Sequence, residues 1–245
     1  MDDMERYGDY NEIDEPPKGK SPLGLILKIL IGALCVLVVG IIGFRIILFN
    51  YYPEDMKTVV FNDTLEAYYV AEGGNVGAKT QSLRFPYDDA DKGRFFADHL
   101  VVVEGAGQLQ ITLRYNKSLL DDLSAEYGVT VTDESFSFRL ARDPRENPSE
   151  TLGKDEVGEV IAEPVGTLAV DKTAEFMMYK YHRLVFDGID FGSEGGAEPT
   201  VEWLRVEVFI DGVAMEEPFM VLVYENNEAN SRFTDYTLSE EELPR

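Results

Sequence analysis

The chain has 245 residues, 46 acidic and 22 basic, for a formal net charge of -24. That balance repels nucleic acid and anionic headgroups and favours cations or basic partners. Residues 1–50 hold 7 acidic and 5 basic side chains, so the surplus sits in the remaining 195 residues, with 39 and 17. There the acids are interleaved with aromatic and β-branched residues, which excludes disorder as the general state of that region.

Residues 1–22 read as a disordered acidic tail. They contain seven acids, Tyr7, Tyr10 and the run Glu15-Pro16-Pro17-Lys18-Gly19-Lys20-Ser21-Pro22, with too few apolar residues to build a core. The tail is too short for a catalytic, receiver or DNA-binding domain.

Residues 23–49 predict a transmembrane helix. Between Lys28 and Arg45 lie 16 uncharged residues, and Leu25 to Phe49 spans 25. Roughly 30 Å of hydrocarbon needs about 20 residues at 1.5 Å each. Lys28 and Arg45 each lie about one turn from an end, within snorkelling reach of the headgroups. Phe49, Tyr51 and Tyr52 fall where an interfacial aromatic belt is expected, and Pro53 ends the helix. Arg6, Lys18, Lys20 and Lys28 precede the apolar core, against Arg45 and Lys57 after it, which predicts a cytoplasmic N-terminus. The apolar run exceeds a signal-peptide core, and Leu34 before Cys35 does not fit lipoprotein cleavage, so an uncleaved signal anchor is expected. Gly32, Gly40 and Gly43 read as ordinary membrane-helix glycines. Cys35 is the single cysteine, so the region beyond the helix has no disulfide.

After a tether at 50–57, period-two patterns dominate residues 58–225. Thr58–Ala71 reads as a strand pair broken at Asn62-Asp63. Phe95–Val103 and Gln108–Tyr115 read as strands joined by a hairpin at Gly105-Ala106-Gly107. In the second, Leu109, Ile111 and Leu113 face one way, and Gln108, Gln110, Thr112 and Arg114 the other. A helix follows, capped by Asn116, carrying Leu119, Leu120 and Leu123, and stopped by Gly128. Ser135–Leu140 alternates. Ala141–Glu156 is a polar loop. Gly158–Val170 is a strand with Pro164 at a bulge or edge. Ala174–Phe186 reads as one further strand, and Gly188–Pro199 as a loop. Val201–Ile210, the hairpin signal Asp211-Gly212 and Phe219–Tyr224 complete the set. Residues 226–245 form a polar tail, with capping-box spacing at Ser239 and Glu242.

About eight strands with few helical connections predict a mainly β, antiparallel, immunoglobulin-like β-sandwich with one short helix. Two small β-domains split near 141–156 are the competing arrangement.

No catalytic, cofactor or nucleotide motif stands out. His99 and His182 sit in strand patterns without metal-ligand spacing. Asp88-Asp89-Ala90-Asp91-Lys92-Gly93 has a calcium-loop composition without EF-hand order, while Asp187, Asp190 and Glu194 form an acidic, glycine-rich candidate for calcium. Asn62-Asp63-Thr64 and Asn116-Lys117-Ser118 match the glycosylation sequon. Tyr68, Tyr69, Tyr179 and Tyr181 make an aromatic-rich set, whose exposed members would suit a carbohydrate or protein.

The sequence thus points to a single-pass membrane protein with an extracytoplasmic domain, a non-enzymatic binding or scaffolding module of the cell envelope. Its expected partners are the lipid bilayer and an envelope protein or polymer, with no nucleic acid and no cofactor. Two rival readings are an accessory subunit docking through its transmembrane helix and an envelope hydrolase built on paired carboxylates.

Overall fold

A computed structural model describes residues 22–80, 94–142, 163–191, 203–210, 220–225, 234–238 and 242–243. Asp88–Gly93, most of the expected loop at 141–156, Glu194, Asp211-Gly212 and Ser239 lie outside the described residues. The chain divides into two compact units, Met1–Tyr51 and Tyr52–Arg245.

The first unit is described as one helix, α1 (Pro22–Asn50), long and apolar enough to cross a membrane. Pro22 suits the first helical position because the missing N–H is one the helix cannot use. At the other end Asn50 Nδ2 donates to the Ile46 carbonyl at 2.8 Å, satisfying an acceptor that the helix terminus leaves open. The large apolar side chains from Leu23 to Ile47 are exposed.

The second unit is mainly β. Its elements are α2 (Asp63–Ala71), β1 (Lys79–Thr80), β2 (Phe95–Val103), β3 (Gln108–Asn116), α3 (Ser118–Tyr127), β4 (Phe136–Arg142), β5 (Glu163–Pro164), β6 (Thr167–Phe176), β7 (Tyr179–Asp187), β8 (Trp203–Ile210), β9 (Met220–Glu225) and β10 (Thr234–Asp235). They form two antiparallel sheets, one ordered β10-β1-β2-β3-β7-β6 and the other β5-β4-β8-β9. The chain crosses between them at Val165-Gly166, directly after Pro164 in the short outer strand β5.

One apolar core joins the sheets. Leu109, Ile111, Leu113 and Tyr115 of β3 meet Leu184 and Phe186 of β7, Phe138 and Leu140 of β4, and Leu204, Val206, Val208 and Ile210 of β8. Each such side chain contributes about 1.5–3 kcal/mol on burial. Leu119 and Leu123 of α3 close one side, and Gly128 ends that helix in the left-handed conformation, as expected. Asn116 Oδ1 accepts the Ser118 N–H at 3.0 Å in the turn before α3, whereas the N-cap position itself falls on Lys117, without a side-chain cap bond. Because this core draws on residues both before and after 141–156, the split into two small domains does not describe it.

Four expectations are corrected. Thr58–Ala71 is not a strand pair. It runs irregularly to Asn62, whose Oδ1 accepts the Leu65 N–H at 3.1 Å and starts α2. The β-favouring Tyr68, Tyr69 and Val70 are thus overruled by the cap and by Leu65, which packs in a second core with Val59, Val76, Ala78, Val101 and Val103. Ala174–Phe186 is not one strand. The chain reverses at Met177-Met178, pairing Phe176 with Tyr179, and Met177 takes φ 51° with no glycine or proline to announce the turn. Residues 226–245 are not simply a tail, for β10 pairs with β1, while Tyr236 and Leu238 pack on the second core. The tether at 50–57 is packed from Tyr52 onward.

Candidate functional site

The six-stranded sheet has a second face, and it carries the side chains that period-two alternation sets opposite the core. Gln108, Gln110, Thr112 and Arg114 of β3 point there, beside Tyr181 and Arg183 of β7. All six are buried. Their cover is the segment Tyr52–Asn62, in which Tyr52, Met56, Val59 and Val60 are buried.

A polar seal holds that segment. Gln110 Oε1 accepts the Val60 N–H and Gln110 Nε2 donates to the Val60 carbonyl, each at 2.8 Å. Thr112 Oγ1 donates to the Met56 carbonyl. Gln108 Nε2 donates to Asn62 Oδ1 at 2.8 Å and to Asp187 Oδ1 at 2.7 Å. Asn62 Nδ2 and Thr64 Oγ1 both donate to Asp187 Oδ2, at 2.6 and 2.9 Å. From the C-terminal side, Glu242 Oε1 accepts from the Val59 N–H and from the Tyr236 hydroxyl, each at 2.8 Å. An irregular segment has no ladder for its backbone groups, so side chains must supply the partners.

Two buried cations sit under the seal. Arg183 donates from Nη1 to the His99 carbonyl at 2.6 Å and to Thr112 Oγ1 at 3.2 Å, and from Nη2 to Gln110 Oε1 at 3.1 Å. Burial pushes its pKa down to about 10, against the opposing pull of Tyr236 and Glu242. The guanidinium carbon of Arg114 lies 4.8, 5.2 and 4.9 Å from the ring centres of Tyr52, Phe96 and Tyr179. Such contacts contribute about 0.5–2 kcal/mol each, most when water is excluded. Burial also pushes the Tyr52 hydroxyl up to about 12, despite the nearby Arg114.

His99 lies at the edge of this seal, in the β-bulge where the register shifts between Asp98 and Val101, with φ 51°. Its ring meets Tyr52 edge-on at 4.7 Å. Burial holds its pKa below the ordinary value; Asp98 opposes this, while Arg183, Lys57 and Arg114 reinforce it.

A second polar cluster lies on the core face. His182 Nδ1 is 3.0 Å from Asp171 Oδ1, and its ring is enclosed by Tyr115, Phe136 and Phe138. Nearby, the Tyr115 hydroxyl donates to Asp133 Oδ1 at 2.9 Å, and Lys180 pairs with the other oxygen of Asp133. Burial first, then the bond to Asp133, drives the Tyr115 pKa far above its ordinary value. A histidine oriented by a carboxylate has the form of a catalytic pair. Among the described residues no hydroxyl or thiol bonds its ring.

The other expected site residues scatter. Asp187, the first calcium candidate, turns both oxygens toward the amides of Gln108 and Asn62 and the hydroxyl of Thr64, donors that occupy the positions a cation would need. Asp190 is exposed, and Glu194 lies outside the described residues. Lys28 and Arg45 lie along α1, and Phe49 and Tyr51 near its end are exposed. Tyr52, expected beside them as an interfacial anchor, is instead buried among His99, Arg114 and Tyr181. Of the tyrosine pairs, Tyr68 and Tyr69 lie on a helix and are half-buried, as is Tyr179, while Tyr181 is fully buried. Of the sequon asparagines, Asn62 caps α2 and Asn116 bonds the Ser118 N–H in the turn before α3.

The seal was missed from sequence because its polar residues look like a solvent face. Its one local sign is the apolar run Val59-Val60-Phe61 just before the cap. No family model, curated protein or solved structure matches the chain.

Proposed function

We propose that the protein is a single-pass, membrane-anchored, extracytoplasmic binding or scaffolding module, with an immunoglobulin-like β-sandwich as its working domain. The observation that carries this reading is the direct succession of two units. A 29-residue apolar helix ends at Asn50, and a compact β unit begins at Tyr52. The helix exceeds the 7–15 apolar residues typical of a cleaved signal. Its exposed apolar side chains are suited to lipid, whereas the same exposure in water carries a large penalty. Lys18, Lys20 and Lys28 favour an internal N-terminus. Two sheets sharing one core support the sandwich architecture.

The chemistry of the second unit supports binding over catalysis. The described polar side chains on the second face of the six-stranded sheet bond mainly one another and the segment Tyr52–Asn62. A compact domain that follows an apolar helix directly in the chain is suited to presenting a binding surface near a membrane.

The test is chemical cross-linking in intact envelopes, comparing the full-length chain with an unrelated anchored domain of matched charge. A discrete adduct formed only by the former supports the reading. Identical adducts, or none, overturn it.

A further inference from the structure

We propose that β6 is a docking edge, which takes up an extended basic segment of another protein by strand addition. This rests on the binding-module reading but not on which side of the membrane the domain occupies.

Among the described residues, β6 is the outermost strand of its sheet and pairs only with β7. At ten residues it is the longest outer strand among the described residues, where β10 and β5 have two each and β9 has six. Thr167, Leu168, Ala169, Asp171, Lys172, Thr173 and Glu175 are exposed, whereas Tyr181 to Phe186 of the adjacent β7 are buried throughout. Natural edges are usually blunted by short length, proline, repeated lysines or bulges. β6 has a single lysine and no proline, and its one register shift lies near the start, between Leu168 and Val170. From Val170 to Phe176 it tracks β7 without interruption, so the backbone groups of Asp171, Thr173 and Glu175 face away from β7, and no described strand lies beyond them.

Charge selects the occupant. Asp171 and Glu175 lie on one face of the strand and Lys172 on the other. When an antiparallel strand pairs with its own copy about a two-fold axis perpendicular to the sheet, directly opposed residues share a face. Lys172 therefore never meets an acid. The central registers set Asp171 against Asp171 or Glu175, or Lys172 against Lys172, and like charges directly opposed are destabilising. The net charge of -24 adds repulsion between copies. A heterologous strand with two basic residues four apart meets Asp171 and Glu175 on the same face and is drawn by the overall field. Asp171 touches His182, and Glu175 touches Lys117 and lies 3.9 Å from Lys180, yet Glu175 remains mostly solvent-exposed. Main-chain bonds would supply affinity, and these side chains the preference.

The test uses the full-length chain in detergent micelles and a labelled threonine–valine peptide carrying two lysines four residues apart. Controls replace the lysines by glutamates, or place a proline at the centre. The lysine peptide is expected to bind and to slow amide exchange within Thr167–Phe176, with both controls weaker by about tenfold or more. The Glu175→Lys variant should weaken the lysine peptide and strengthen the glutamate one. Absence of binding, protection confined to other strands, or a proline peptide as tight as its parent overturns the docking edge. The cross-linking test of the anchored module is independent, so a specific envelope adduct without peptide binding would reject β6 alone.

Discussion

Gln110 grips both backbone groups of Val60, accepting its N–H and donating to its carbonyl across 50 positions of sequence. This pair of bonds anchors the segment after the helix to the middle of the sheet. Gln110 also bonds Gln108 and Arg183, so it is the node of the seal.

Gln110→Leu keeps the size and removes every partner. The Val60 N–H and carbonyl and one Arg183 nitrogen are then left buried without it. Each buried unsatisfied group costs about 1–3 kcal/mol, so a loss of roughly 3 kcal/mol or more is expected in urea unfolding. A loss of only a few tenths would mean that water replaces the glutamine.

Asn62 both caps α2 and donates to Asp187. Asn62→Ala should cost about 1–3 kcal/mol. Asn62→Asp retains a good cap but sets a second carboxylate against Asp187, and should be worse than alanine at neutral pH. Adding Asp187→Asn should recover most of that loss, a coupling that a double-mutant cycle reads directly.

Two left-handed glycines separate backbone strain from crowding. Gly128 has φ 68° with open space around a notional Cβ, so Gly128→Ala should cost about 1 kcal/mol. Gly166 has φ 70°, but there a Cβ would stand 2.6 Å from the Asp187 carbonyl oxygen. Backbone cannot swing aside as a side chain can, so Gly166→Ala should cost about 2–4 kcal/mol. Thermal unfolding of the two variants side by side checks the order.

His99 makes the fold sensitive to mild acid. Its folded pKa lies below the ordinary 6.5, because burial and the cations Arg183, Lys57 and Arg114 outweigh Asp98. Between that lowered value and 6.5 the unfolded chain binds more protons, so stability falls as pH falls through this window and levels off beneath it. His99→Asn tolerates the positive φ and removes the titration. It should flatten this part of the melting profile, and an unchanged slope would assign the effect to another group.

The sequence exposed what is local. The alternation of Leu109, Ile111 and Leu113, the stop at Gly128 and the Leu204–Ile210 face all follow from nearest-neighbour geometry. The turn at Met177-Met178 was hidden because its residues carry no turn chemistry and the strands on both sides are equally apolar and aromatic. The seal was hidden for another reason. Whether Gln110 is a solvent residue or a buried clamp depends on Val60, and whether Glu242 ends a tail or caps a core depends on Val59, 183 positions away. A buried polar residue and an exposed one look alike until the chain that covers them is placed.

The central claim is an anchored domain outside the membrane with its N-terminus inside. In a Cys35→Ser background, single cysteines at Ser21 and at the exposed Glu54 report the two sides through a membrane-impermeant maleimide. The account predicts that Glu54→Cys is labelled in intact cells and Ser21→Cys only after lysis. The reverse pattern, or labelling of both without lysis, would contradict it.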